Sequence, residues 1–313
     1  MRTAVVDIGT NSTRLLVADV SPEGAISELV RRSVVTRLGD GVDATGALSE
    51  PAIARVFAAL EGFRADLDRL APQANLAVLT SAARDASNGP AFAAAIRTEH
   101  DLNARILSGD EEARLTFLGA MSGRPADDPE DCGRPTVVID VGGGSTEFVV
   151  GVDRTAGFHV SLPAGVVRMS ERHIRSDPPS PAELQQLAAD VHAVFLAGLP
   201  AAERARVVRG IAVAGTATSA AAIDQELDPY DPARVHGYPL LLATVELLLA
   251  RLAEMTEAQR RSLVGLDPAR APTIVAGMIL LSQAIRMFDL DQVEVSEHDI
   301  LHGGAISLAA VET

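Results

Sequence analysis

The feature that most constrains this chain is that it repeats itself. Ala4-Val5-Val6-Asp7-Ile8-Gly9-Thr10-Asn11-Ser12-Thr13 aligns without a gap on Val137-Val138-Ile139-Asp140-Val141-Gly142-Gly143-Gly144-Ser145-Thr146, at a constant offset of 133 residues. Each copy is an apolar run, a turn of small residues and a second apolar run, Leu15 to Val20 in one case and Phe148 to Val152 in the other. Apolar runs bounded by Gly, Asn and Ser read as two strands joined by a tight turn. Two α/β lobes built on one plan are the simplest architecture, and 313 residues is about two domains of chain.

Between and after the copies, helical and strand patterns alternate. A third strand is expected over 26–38 and a helix over 49–70, where Ile53, Val56, Phe57, Leu60, Phe63, Leu67 and Leu70 recur at helical spacing. Short strands follow at 76–80 and 104–107, with a helix capped by Asn88 between them and another over 111–120. The second half predicts strands at 136–139, 147–152, 158–162, 207–213 and 293–295. Capping boxes at Ser180 and Thr256 open helices. A small-residue turn is expected at 214–219, an apolar helix at 272–288 and a closing helix at 299–310. Pro, Gly and Asp concentrate at 123–135, which reads as a linker.

Composition excludes several chemistries. All 27 basic residues are Arg, so a Walker-type phosphate loop, a Schiff-base lysine and a kinase strand lysine are ruled out. Cys132 is the single cysteine, in an acidic, loop-like setting, so neither an intrachain disulfide nor a cysteine metal cluster can form. The apolar stretch at 273–285 is too short to span a bilayer, and Asp7 interrupts any amino-terminal signal region. A cytoplasmic protein without membrane partners is expected. The net charge of −15 argues against nucleic acid and requires a polyanionic ligand to find a local site against an unfavourable field.

The two turns suit such a ligand. In Asp-x-Gly-x-x-Ser the Gly permits a tight reversal, and the amides and hydroxyls that follow form a phosphate cradle without a cationic side chain. The candidate phosphate-binding residues are Thr10, Asn11, Ser12, Gly142, Gly143, Gly144, Ser145 and Thr146, with Gly215 and Thr216 in the third small-residue turn. Asp7 and Asp140 occupy equivalent turn entrances and should face each other across a cleft between the lobes, where paired carboxylates near phosphates hold Mg²⁺, with Mn²⁺ as an alternative. The copies differ at one informative position: Arg14 stands where the second copy has Glu147. Arg14 would clamp phosphate, and Glu147 would reach the metal or its water.

Seven segments, DIGTNSTRLL (7–16), TSAARDA (80–86), ILSGDEEARLTFLGA (106–120), VIDVGGGSTEFVVG (138–151), SLPAGVVRMSERH (161–173), VAGTATS (213–219) and VSEHDILHGGA (295–305), resemble the exopolyphosphatase/guanosine pentaphosphate phosphohydrolase family. The resemblance covers essentially the whole chain and is carried most specifically by DVGGGSTE with SGDEEAR. It implies two actin-like (ribonuclease-H-like) lobes with the active site in the cleft, in the short form that lacks extra C-terminal helical domains. The lobes are expected at 1–124 with the C-terminal helix 299–313, and at 134–298, joined by a linker at 125–133. The resemblance also implies that Glu112 activates the attacking water and that Arg84 contacts phosphate. Glu111 is an acid favoured in a helix first turn. At His302 the chain departs from the family, and His298 and His302, four residues apart, read as a structural pair with no third ligand in view.

The expected activity is Mg²⁺-dependent release of terminal orthophosphate from inorganic polyphosphate. Guanosine pentaphosphate is the alternative substrate; a kinase of the same fold and a non-catalytic polyphosphate or nucleotide sensor are more distant readings. A nucleotide could lodge at 213–219. A track formed by Arg14, Arg84, Arg168, Arg172 and Arg175 would carry a long polyanion, and self-association, if any, is expected as a homodimer.

Overall fold

A computed structural model of the protein describes residues 1–122, 133–153 and 155–311. The chain divides into two units, Met1–Pro125 with His298–Thr313, and Ala126–Glu297. Cys132 and the expected linker 125–133, apart from Gly133, lie outside the described residues.

The first unit opens with a meander, β1 (Arg2–Ile8), β2 (Ser12–Val20) and β3 (Ile26–Val35), followed by the short α1 (Val42–Thr45) and the long α2 (Glu50–Leu70). Ser49 caps α2 by accepting from the Ala52 amide, and Pro51 sits in its first turn, where no backbone donor is needed. Then come β4 (Ala74–Leu79), α3 (Ser81–Asp85), α4 (Gly89–His100), β5 (Ala104–Ile106) and α5 (Gly109–Ala120). Asn88 does not cap α4 with its side chain; it bonds both backbone groups of Leu48 instead. The sheet order is β3-β2-β1-β4-β5, with β1, β4 and β5 parallel.

In the second unit, β6 (Thr136–Val141), β7 (Thr146–Val152) and β8 (Thr155–Leu162) repeat the meander. They are followed by α6 (Val166–His173), α7 (Pro181–Gly198), α8 (Ala201–Arg206), β9 (Arg209–Val213) and α9 (Ala214–Asp224). The unit continues through α10 (Pro232–Val235), β10 (Tyr238–Leu241), α11 (Leu242–Glu254), α12 (Glu257–Arg260), a 3₁₀ turn at Pro268–Arg270, α13 (Ile274–Met287) and β11 (Gln292–Val295). Read from β8, its sheet runs β8-β7-β6-β9-β11, the same plan as the first, with β10 added antiparallel at the edge. The chain then returns to the first unit as α14 (Ile300–Val311).

The turn expected at 214–219 is the start of α9. Its residues are small but buried almost all round, from Thr216 and Ala217 through Ser219–Ile223, so the segment shows no amphipathic period in sequence.

Strand alternation decides the layers of the first unit. Ala4, Val6, Ile8, Leu15 and Val17 pack with Val56, Leu60 and Phe63 of α2 and Phe92 and Ile96 of α4, whereas Val5, Leu16, Ala18 and Val20 pack with Leu301 and Ala305 of α14. In the second unit Val137, Ile139, Phe148 and Val150 share one core with Phe195 of α7 and Ile279 and Leu280 of α13.

Helices α5 and α14 meet backbone to backbone. A Cβ at Gly119 would lie 1.7 Å from the Asp299 carbonyl oxygen, and one at Gly303 would lie 1.8 Å from that of Leu115. Neither neighbour is a flexible side-chain tip, so the helices themselves must part. Gly119→Ala and Gly303→Ala should each cost about 3 kcal/mol or more in urea denaturation, the upper end of overpacking. Gly62→Ala, on the exposed face of α2 with nothing within 4 Å, should instead stabilise by about 0.5–1 kcal/mol.

Candidate functional site

The internal repeat survives as geometry. The Gly9 amide donates to the Ser12 carbonyl at 2.9 Å, and the Gly142 amide donates to the Ser145 carbonyl at 3.0 Å. These closures set identical registers beyond them, Asp7 opposite Arg14 and Asp140 opposite Glu147.

What surrounds each turn fixes where its amides point. In the first, the Thr10 carbonyl accepts from Gly39, and the Asn11 carbonyl accepts from Thr36 and Arg37. In the second, the Gly142 carbonyl accepts from Val166, that of Gly143 from Val167 and Arg168, and that of Gly144 from Arg168 Nε at 2.8 Å. A trans peptide carries its N–H opposite its C=O. The amides of Asn11 and Ser12, and of Gly143, Gly144 and Ser145, therefore face away from these supports, as an anion cradle requires. Gly165 is needed for this support, since a Cβ there would lie 2.4 Å from the Gly143 carbonyl oxygen. The Thr10 hydroxyl accepts from the Ala82 amide at the start of α3.

In the first unit the parallel strands end together, and their carboxyl ends carry the first turn, α3 and α5. This edge is where open α/β sheets bind ligands. Arg84 of α3 donates from Nη1 to Glu112 Oε2 at 2.7 Å and to the Leu107 carbonyl at 3.1 Å. Glu112 is 7% exposed. Glu111 does different work: with Ser108 it completes a capping box, and the Ser108 amide and hydroxyl hold its carboxyl below the usual range.

Asp7 and Arg14 belong to a buried charge cluster. Arg14 donates from Nε and Nη2 to Asp7 Oδ2, at 3.0 and 2.6 Å, and from Nη1 to Asp299. Asp299 also accepts from the Leu301 amide, capping α14. Burial pushes the Asp7 carboxyl up, and Arg14 offsets this only in part. Burial would raise Asp299 as well, but Arg14, with Arg31 and His302, overrides it and holds the group at about 2. The guanidinium is disfavoured by burial yet pushed up by its two carboxylates. The sequence expectation sent Arg14 to phosphate and Asp7 to a metal; the structure bonds them to each other. Asp299, 285 residues from Arg14, was missed.

In the second unit Asp140 and Glu147 are 8% and 1% exposed and stand opposite on adjacent antiparallel strands, hence on one face. Glu147 Oε1 accepts from Ser161 Oγ at 2.6 Å. Thr146 donates its hydroxyl to the Ala164 carbonyl. Because Asp140 pairs with Val213 of β9, the glycine turn adjoins the start of α9. Gly215 and Thr216 thus lie in the first turn of a helix, whose amides attract anions for a different reason from a hairpin's. Arg270, which sequence reasoning did not single out, packs its guanidinium on this turn: a Cβ at Gly215 would lie 1.4 Å from Arg270 Nη1.

The model of the Ppx/GppA phosphatase family matches residues 16–310. The chain belongs to that family. It is 36% identical to exopolyphosphatase 2 of Mycobacterium tuberculosis, over 98% of both chains. It also resembles a solved exopolyphosphatase-like protein, with TM-score 0.91 and 30% identity over the whole of both chains. A third likeness is the Ppx/GppA family member of Aquifex aeolicus, with TM-score 0.80 and 28% identity over 100% of this chain and 99% of that one. The fold is thus the mixed α/β, two-lobe actin-like fold of these phosphatases. Among the described residues no helix is long and apolar enough to cross a membrane.

For this Ppx/GppA phosphatase, Arg14 is the charge that lets two buried carboxylates coexist. Arg14→Met should cost about 3–5 kcal/mol at neutral pH, as when one partner of a buried ion pair is removed. A carboxyl depressed to about 2 stabilises above its unfolded pKa, and that contribution is lost as pH falls towards 2. The Asp299 share of the cost should therefore shrink below about pH 4, as urea denaturation of both proteins across pH would reveal.

Proposed function

We propose that this protein is an exopolyphosphatase, releasing orthophosphate from the end of inorganic polyphosphate. The observation that carries this reading is the division of labour at the start of α5. Glu111 is spent on the cap, while Glu112 is buried and held by Arg84 at the edge that carries the first turn. The name borne by the Mycobacterium tuberculosis relative supports the same reading.

The chemistry is in-line attack by water on the terminal phosphorus. Glu112 accepts the water's proton, and Arg84 fixes the orientation of its carboxylate. The bond from phosphorus to the bridging oxygen breaks, and the shortened chain leaves with the electron pair. The amides of Asn11, Ser12, Gly143, Gly144 and Ser145, with Gly215 and Thr216 at the start of α9, are donors for phosphate oxygens in their respective units. Arg270 adds positive charge beside α9.

The family implies a divalent cation, and the second unit has a donor set that fits one. Asp140 and Glu147 bring two buried carboxylates to one face. All-oxygen donors of this number suit Mg²⁺ or Mn²⁺, which would neutralise phosphate charge when bound.

Glu112→Gln should lower phosphate release from polyphosphate by about 10²–10⁴-fold while polyphosphate binding persists. Glu111→Gln keeps an acceptor for the Ser108 amide, as Gln259 does for Thr256, and should leave both stability and rate nearly intact. Equal loss of rate in the two variants would refute the choice of base.

Substrate and metal are read by one comparison: orthophosphate released from long-chain polyphosphate, guanosine pentaphosphate and ATP, each with Mg²⁺ and after chelation. Polyphosphate should be preferred and chelation should abolish release. Preference for guanosine pentaphosphate would move the assignment to the other activity of the family, and full activity after chelation would remove the metal.

A further inference from the structure

The two histidines that stood as a pair in the sequence acquire a third partner in the fold. Glu28 of β3 brings Oε1 to 2.8 Å from His302 Nε2, and the His298 and His302 rings stack with centroids 4.1 Å apart. One potential ligand atom from each of the three residues lies within 4.8 Å of the other two. We propose that Glu28, His298 and His302 form a binding site for a zinc-class transition-metal ion, separate from the carboxylates assigned to Mg²⁺.

A β-bulge builds the site. Val17 pairs with Val30 but Ala18 pairs with Glu28, so Leu29 is an extra residue in β3. Before the bulge Ile26 packs on the α14 side of the sheet; after it Val30 packs on the α2 side, and Arg32 bonds Asp66 of α2. An uninterrupted strand would put residues 26, 28 and 30 on one face. The bulge switches faces between Glu28 and Val30, and so keeps Glu28 with α14. Bulges serve to re-aim side chains in this way.

His298 is held from behind. His298 Nδ1 lies 3.3 Å from both the carbonyl oxygen and the hydroxyl of Ser122, at the end of α5. A carbonyl can only accept, so Nδ1 carries the proton in that contact and the lone pair belongs to Nε2, the outer-shell arrangement usual for a ligating histidine. His302 is wholly buried, and its Nδ1 meets no hydrogen-bond partner, which leaves Nε2 and its Glu28 contact to satisfy the ring. Asp299 caps the helix between the two histidines.

Two imidazoles and one carboxylate select against Mg²⁺, which demands oxygen ligands, and suit Zn²⁺, Co²⁺ or Ni²⁺. Zn–N and Zn–O bonds of about 2.0–2.2 Å put ligand atoms about 3.3 Å apart in a tetrahedron. Reaching that from the observed 2.8 Å contact and 4.8 Å limit needs only small side-chain shifts. Glu28 is on the exposed side and can make them. Three protein ligands leave the fourth position to water. Arg31 lies near enough to act on both Glu28 and Asp299 and is the positive charge that a bound cation must tolerate.

The test uses tag-free full-length protein, titrated with Zn²⁺ by calorimetry and with Co²⁺ by visible absorption, in the presence of excess Mg²⁺. One equivalent should bind, with the intense visible bands of four-coordinate Co²⁺, and Zn²⁺ should raise the melting temperature. Glu28→Gln and His302→Gln should each weaken binding by more than about 100-fold, beyond the effect of an outer-shell change, and Ser122→Ala by about 10-fold. Glu28 is exposed, so its variant should fold even where that of His302 does not. The proposal fails if Mg²⁺-saturated protein takes up no equivalent of Zn²⁺ or Co²⁺. It also fails if the bound ion shows only the weak bands of six-coordinate Co²⁺, or if Glu28→Gln binds as tightly as the parent.

Discussion

The candidate site of each unit depends on the same hydrogen bond, from the amide of the turn glycine to the carbonyl of the serine three residues later. That bond closes the turn and so fixes which residue stands opposite the aspartate at the strand end. With register set, side chains cannot choose their faces, because a slip of one residue would turn the whole strand over. The two lobes then diverge through one position. Arg opposite Asp7 makes a compact ion pair; Glu opposite Asp140 sets two carboxylates side by side. One backbone plan thus yields an Asp–Arg ion pair at one strand end and an Asp–Glu pair, the donor set proposed above for a cation, at the other.

The ion pair in turn ties the last helix to the first strand. Arg14 has donors left after Asp7 is satisfied, and Asp299 takes one while capping α14. The glycines at the α5–α14 crossing allow this approach, since a methyl group at Gly119 would push against the Asp299 backbone itself. Electrostatics and packing therefore converge on Asp299. A charge this deeply buried is tolerable only because both its oxygens are engaged and its counter-charge is shared.

Much of this was legible in sequence, and the rest was hidden for identifiable reasons. The repeat gave away both hairpins, their turns and the Arg14/Glu147 difference, because strand period and turn chemistry are local. The start of α9 reads as a turn in sequence because Gly, Thr and Ala mimic one and a wholly buried helix has no polar face to betray it. The Ser108–Glu111 capping box separates Glu111 from Glu112, and it is visible in sequence once a helix start is placed at Gly109. Asp299 and Arg270 could not be found locally: their partners, Arg14 and Gly215, are joined to them only by the fold. Glu28 was hidden more deeply, since its face depends on one extra residue in β3 that no alternation pattern shows.

Charge gives the arrangement its functional sense. A chain at −15 with no lysine has only arginine to meet a polyanion. Yet three arginines expected to form a track are committed to the protein itself: Arg14 to two aspartates, Arg84 to Glu112 and the Leu107 carbonyl, and Arg168 to the Gly144 carbonyl. They shape the cradles more than they advertise them. In the function proposed above, anion recognition then falls largely to backbone amides, whose partial charges act at hydrogen-bond range and are held in place before the ligand arrives. Such donors reward a phosphate group that enters the turn and give little to one several residues of chain away. A site built this way reads the end of a phosphate chain by fit, which is the selectivity that stepwise release of terminal phosphate requires.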